Sequence, residues 1–139
     1  MAVIATDTKR LSALIKHLYE PSTGYCFEVV TVNEAAAKTY DVGTLLGTVT
    51  ATGKSKIAVE TAVDGSKVVT GVVVGDVLGE AHPFNVAATT DTKVLVLTRG
   101  PAHLADTALI WDATYDNQTK KDTAFATLKA AGVLIVPAK

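Results

Sequence analysis

The chain is poor in the residues that build most kinds of chemistry. One cysteine, Cys26, stands in 139 residues. That excludes an intramolecular disulfide and a Cys-rich zinc site. Cys26 lies in the apolar run "YCFEVVTV" and reads as a buried small hydrophobe, consistent with a reducing folding environment. No run of about 18 apolar residues occurs, so no membrane-spanning helix is expected. The start, "MAVIATDTKR", lacks an apolar core after a basic head, so no secretory leader is expected either. There is no excess of positive charge: Lys+Arg number 13 and Asp+Glu 14. A nucleic-acid binder normally carries a positive field to neutralise phosphates, so that class is disfavoured. Aromatics are scarce at 6%.

What is present points to a mainly β (α+β) single domain. Hydrophobic residues make up 48%, which excludes a disordered chain. Short Val- and Thr-rich runs alternate with turn signals. Strands are expected near 25–32, 44–51, 56–60, 67–74, 84–88 and 92–98. The punctuation is chemical. Gly53 in "ATGK" supplies positive φ for a turn. Asp64-Gly65 in "VDGSK" is a hairpin signal, and "TTDTK" offers short side chains that bond their own backbone.

Two segments break the β pattern. In "TDTKRLSALIKHLYEP", Leu11, Leu14, Ile15 and Leu18 recur at helical spacing, with Thr6, Asp7 or Thr8 as caps and Pro21 as the stop. The spacing predicts an amphipathic helix over residues 8–20, in an arm spanning 1–24, ahead of a β-rich domain over 25–139. Tyr19, Tyr25 and Phe27 cluster at the hinge. They either pack on the domain or dock the arm on a partner.

The second segment is "IWDATYDNQTKKDTAFATLKAAGVLIV", residues 110–136. It predicts one short helix with Asp116 as N-cap and a stripe of Ala124, Phe125, Leu128 and Ala131. Gly132 would follow as the residue with positive φ. The strand "VLIV" comes next, expected to be buried on both faces or paired within an assembly. Phe125 and Leu128 are expected to be buried. Trp111, the sole tryptophan, is expected to anchor the core or a subunit seam. Lys120 and Lys121 fall in the first helical turn, where the helix dipole disfavours cations, so helix stability does not explain them. A salt link to a neighbouring subunit or partner would.

No catalytic constellation emerges. "GTVTATGKS" imitates a phosphate-binding loop, but five residues separate Gly47 from Gly53 where the motif has four. Its flanks read as strands, so a hairpin is the better account. Gly71, Gly75 and Gly79 in "GVVVGDVLGE" read as bulges, bends or close backbone approaches. His17, His82 and His103 are scattered through the chain. The serines lack a nucleophile-elbow context. Asp112 and Asp116 flank a cap position rather than forming an acid–base pair.

The C-terminal segment resembles the head decoration proteins of the phage lambda type. The residues that carry the resemblance are Trp111, Thr119, Lys120, Lys121, Thr123, Ala124, Phe125 and Ala126, in register without a gap. "GTLLGTVTATGK", "DGSKVVTGVVVGDV" and "TKVLVLTRG" resemble the family's strands, so the likeness spans roughly residues 40–136. It implies a compact β-tulip or barrel-like domain, with no enzyme activity and no cofactor. It implies a homotrimer at the three-fold positions of an expanded phage head. The major capsid protein and the chain itself would be its partners, with no nucleic acid or membrane involved. Such a protein is made in the host cytoplasm and ends on the outer surface of the virion, where it stabilises the shell against internal DNA pressure. The family's N-terminal arm is flexible and Pro/Ala-rich, and the helical periodicity here departs from it. Leu11, Leu14, Ile15, Leu18, Tyr19, Tyr25 and Phe27 are the candidate capsid contacts. Trp111, Lys120, Lys121, Phe125 and Leu128 are the candidate trimer or core anchors. A β-rich adhesion or glycan-binding module is the alternative, disfavoured by the scarcity of aromatics.

Overall fold

The computed structural model describes residues 14–18, 26–76 and 83–136. Ten strands fall within them: β1 (Ile15–Leu18), β2 (Phe27–Val32), β3 (Lys38–Tyr40), β4 (Leu45–Thr48), β5 (Ser55–Ile57), β6 (Val69–Asp76), β7 (Phe84–Val86), β8 (Thr92–Leu97), β9 (Ala102–Ala105) and β10 (Val133–Val136). A 3-10 turn covers Asp106–Ala108, and one α-helix, α1, covers Gln118–Ala130. The barrel-like reading of the fold holds. Strands β2-β5-β4-β6-β8 close a barrel, β1-β9-β10 form a second sheet, and β3 pairs with β7.

Two cores follow from strand alternation. Val32, Leu46, Val73, Val94 and Val96 come from four barrel strands and pack together inside the barrel, joined by Tyr40 and Val86 of the β3–β7 pair. The intervening residues Leu45, Val72, Val74 and Leu97 turn outward. They pack against Leu104, Leu128 and Val133 of the second sheet and the helix, and against Leu14, which precedes β1. Strand β6 is therefore buried on both faces, which explains its unbroken Val run.

The glycines do as expected. A Cβ on Gly71 would lie 2.4 Å from Val96 Cγ1, so the strands approach closely there. The register of β6 against β8 shifts between Val73 and Gly75, a bulge. Gly79 lies outside the described residues. "ATGK" is the β4–β5 hairpin turn, with Gly53 at φ 71° and the Val49 N–H donating to Lys54 O at 2.8 Å. Gly65 has φ 98°, but its turn lies within the longer connection from β5 to β6 rather than in a two-residue hairpin.

The expected N-terminal helix is corrected from Ile15 to Leu18. Ile15–Leu18 is a strand, antiparallel to β9 with Ile15 opposite Leu104 and Leu18 opposite Ala102. Ile15-Lys16-His17-Leu18 carries only two apolar residues, too few to fix a period, and the edge of β9 supplies backbone partners that favour the extended form. Leu11, with the rest of residues 8–13, 19 and 20, lies outside the described residues.

The chain returns to the second sheet through a crossover. β9 and β10 are parallel, so a helix must carry the chain back between them, and α1 does so. The helix ends where expected, at Gly132 with φ 90°. Gly132 also meets Gly100: the Gly100 N–H donates to Ala131 O at 2.9 Å, and a Cβ on Gly100 would stand 1.9 Å from Gly132 O. The N-cap is corrected from Asp116 to Asn117, whose side chain accepts from the Lys120 N–H at 3.0 Å. β10 is not buried on both faces within the chain. Val133 and Ile135 turn one face of the strand to the core, while Leu134, on the opposite face, is 37% exposed.

Candidate functional site

The C-terminal candidates gather around one end of α1. The Trp111 ring stacks tilted on Tyr115 (5.1 Å between centroids) and on Phe125 (5.5 Å). Trp111 and Phe125 are half-buried, so the expectation of a buried Phe125 is corrected. The helix carries Phe125 at the margin of its apolar stripe, while Ala124 and Leu128 occupy the centre and are buried. Tyr115 is buried and donates its hydroxyl to Lys67 O at 2.9 Å. Burial raises the Tyr115 phenol pKa, and the charges of Glu60 and Asp112 add to that.

The two lysines of the first turn each have a partner within the chain. Lys121 Nζ sits 5.6 Å from the Trp111 ring centroid, a cation–π contact. Lys120 Nζ reaches Asp116 Oδ1 at 2.9 Å and Thr114 O at 3.2 Å, with Glu60 Oε2 at 3.8 Å. The hydrogen bond to Asp116 raises the Lys120 pKa and lowers that of Asp116. Asp116 thus steadies a first-turn cation instead of capping the helix. Asp112 is a turn-maker, accepting from the Thr114 N–H at 3.1 Å and the Thr114 hydroxyl at 2.6 Å.

A groove of about 250 Å³ runs between α1 and the start of β6, beside this cluster. Thr123 and Thr127 line it, yet each hydroxyl bonds back to a carbonyl one turn earlier, at 3.1 and 3.2 Å. With Ala124, Val69 and the 46% exposed Val68, they give the groove an apolar character under a polar sequence.

The N-terminal candidates divide. Leu14 is wholly buried in the larger core, so in this conformation it holds the domain and makes no outer contact. Ile15, Leu18 and Phe27 are partly buried against the same core. Leu11, Tyr19 and Tyr25 lie outside the described residues. The fold sets His17 and His103 at paired positions of β1 and β9, while His82 lies outside the described residues. Among the described residues, no group of three metal-ligating side chains converges.

One internal link has no sequence signature. Glu34 is buried and accepts from the Tyr40 hydroxyl and, at 2.8 Å, from the Ile57 N–H. It ties the β3–β7 pair to β5. Burial drives the Tyr40 phenol pKa well up, and the hydrogen bond and charge of Glu34 add to it.

A family model described as bacteriophage lambda head decoration protein D matches residues 5–133. No curated protein gives a significant match to the chain.

Proposed function

This chain belongs to the bacteriophage lambda head decoration protein D family, and we propose that it works as a homotrimeric cement at the three-fold positions of an expanded phage head. Its role is structural and not enzymatic, that of a capsid decoration protein. Family membership across nearly the whole chain is the observation that carries this reading. The partner is the major capsid protein, the position is the outer surface of the virion, and synthesis occurs in the host cytoplasm. The cement holds neighbouring capsomers together and so raises the free energy of shell rupture under DNA pressure.

The arrangement suits the task. A trimer engages three sites, and each contact after the first is effectively intramolecular, so modest contacts multiply into a firm clamp. The near-neutral charge avoids long-range attraction to the packaged DNA. The half-buried Trp111, Phe125 and Lys121 cluster supports a place in the trimer seam, since interface cores favour aromatic anchors. Residues 1–24 are the docking arm in this proposal, with Leu11 and Tyr19 its candidate contacts and Tyr25 at the hinge beside it. Leu14 to Leu18 tie the arm to the domain.

The experiment is direct. Purified protein is sized by light scattering, then mixed with expanded, undecorated heads. A trimer that co-sediments with heads is expected. A monomer that ignores them overturns the reading. Deleting residues 1–13 leaves β1 intact, and is expected to weaken head binding while the trimer persists. Unchanged binding would remove the arm from the account.

A further inference from the structure

Asp64-Gly65 forms a turn that the decoration role leaves unused. Asp64 is the one Asp or Asn in the chain that glycine follows; Thr or Val follows most of the others. The peptide nitrogen after an Asp can attack that residue's own side chain. A β-branched neighbour hinders the approach, and glycine does not. The fold nonetheless demands this pair. Gly65 has φ 98°, in the left-handed region, and a Cβ there would lie 2.1 Å from Thr50 Oγ1. Asp64 bonds forward to Ser66 and so makes the turn. Ser66 is wholly buried, and its carbonyl lies so near Gly47 that a Cβ on Gly47 would stand 1.9 Å from it. The turn is also tied to the β4–β5 hairpin, where the Thr50 N–H donates to Asp64 O at 2.9 Å.

The two reacting groups are held unequally. The electrophile is engaged at both oxygens. Asp64 Oδ1 accepts from the Ser66 hydroxyl at 2.6 Å and from the Ser66 N–H at 3.0 Å, and Oδ2 meets Lys56 Nζ at 2.9 Å. The nucleophile is free: the Gly65 N–H donates no hydrogen bond among the described residues. The Ser66 hydroxyl first, and Lys56 next, hold the Asp64 carboxyl well below the ordinary carboxylate range, so it stays ionised. A carboxylate cannot react in this way, because its oxygen would have to leave as oxide. The neutral acid can lose water instead.

We infer that Asp64-Gly65 is a site of spontaneous isomerisation to isoaspartate, and that Ser66 and Lys56 latch it shut in the folded protein. Once the latch opens, Gly65 N bonds to Asp64 Cγ. The amide proton and the carboxyl hydroxyl leave as water, and a five-membered succinimide remains. Water then adds at the main-chain carbonyl of Asp64 and breaks its bond to Gly65 N, so the chain continues through the side chain. The sum is a rearrangement, with no oxidant, cofactor or enzyme. The product carries one extra methylene in the backbone between Asp64 and Gly65. That draws the Asp64 main-chain oxygen away from the Thr50 N–H and displaces Ser66 from Gly47. None of this depends on capsid binding. It matters most in a particle whose protein is not renewed, because isoaspartate accumulates with age.

Ageing the full chain tests this, folded and in denaturant, at mildly acidic and neutral pH. Isoaspartate is counted by enzymatic methylation and placed at Asp64 by mass spectrometry of peptides. The unfolded chain lacks the latch, and is expected to isomerise at Asp64 about tenfold or more faster than the folded one, the factor that one unit of carboxyl pKa sets for the neutral form. Lys56→Met removes the charge, and Ser66→Ala removes the hydroxyl while keeping the N–H. Each is expected to raise the folded rate about threefold or more, the effect of half a pKa unit. In the wild type the folded rate is expected to rise as pH falls, with a midpoint below that of the unfolded chain. Equal rates in the folded and unfolded wild type overturn the latch. Folded variants that age no faster than wild type also overturn it. If Ser66→Ala does not fold, Lys56→Met and the wild-type pH midpoint decide, and an unshifted midpoint refutes the proposal. An unfolded chain that gains no isoaspartate at Asp64 removes the site itself.

Discussion

Tyr40→Phe removes one buried hydroxyl from the contact between the β3–β7 pair and the barrel. Tyr40 is wholly buried, and its hydroxyl donates to the buried Glu34 carboxylate. After the change, Glu34 keeps the Ile57 N–H at 2.8 Å and loses its only side-chain donor among the bonds described. A hydrogen bond to a charged group contributes about 1.5–3 kcal/mol net, because the acceptor left behind is desolvated without compensation. Each kcal/mol moves the melting midpoint of a chain this size by roughly 3–4 °C. A loss of about 5–10 °C is expected at neutral pH, measured by calorimetry at fixed protein concentration because the assembly state enters the midpoint. The pH dependence supplies a second readout. The folded-state phenol pKa lies above its unfolded value near 10, so the native state holds the proton longer. The stability from this group is complete below pH 10 and declines above it, by about 1.4 kcal/mol per pH unit. Tyr40→Phe flattens the alkaline slope by that amount. Tyr115, raised in the same direction, continues to contribute. A variant with the wild-type midpoint and the wild-type alkaline slope would refute the claim that Glu34 and Tyr40 tie the β3–β7 pair to β5 of the barrel.

Other perturbations test the helix and its surroundings. Gly100→Ala drives a Cβ to 1.9 Å from Gly132 O, between two backbone segments that cannot both yield. A loss of at least about 2–3 kcal/mol is expected in urea unfolding, and a neutral result would disprove the close approach. Leu128→Ala empties a site that is 1% exposed and should cost about 2–5 kcal/mol. Phe125→Ala should cost clearly less in the isolated chain; equal losses would mean that Phe125 is as buried as Leu128. Asn117→Ala removes the helix cap and should cost about 1 kcal/mol, whereas Asp116→Ala should stay within about 0.5 kcal/mol. The reverse order would restore Asp116 as the cap. At low pH, Asp64, Asp91 and Asp116 all have pKa values held below the ordinary carboxylate value by their hydrogen-bond partners. The stability they provide is present above about pH 4 and fades below it, so Asp64→Asn should shallow the acid limb of a pH–stability curve.

The strands that were legible in the sequence are those whose neighbours could be guessed from period and turns. The β4–β5 hairpin announced itself through Gly53, and β6 through an apolar run that both cores cover. β1, β3 and β9 were not legible. Each is three or four residues long and gains its form from a partner distant in sequence, as Ile15 does from Leu104. Helical spacing in Leu11 to Leu18 was therefore a local signal overruled by the edge of β9 from residue 15 onward. At the other end, Gly132 and Leu128 took their expected places. The cap moved by one residue because Asp116 found Lys120 four positions on. The Glu60 contact of Lys120 and the Trp111 contact of Lys121 were unreadable in advance, since both partners reach them only through the fold.

The central claim is that this chain clamps an expanded phage head as a trimer. Electron microscopy of expanded, undecorated heads incubated with the purified protein tests it most directly. The account predicts new three-lobed density at the three-fold positions and heads that resist rupture at low ionic strength or raised temperature. Heads that remain bare at saturating protein, and rupture as before, would contradict it.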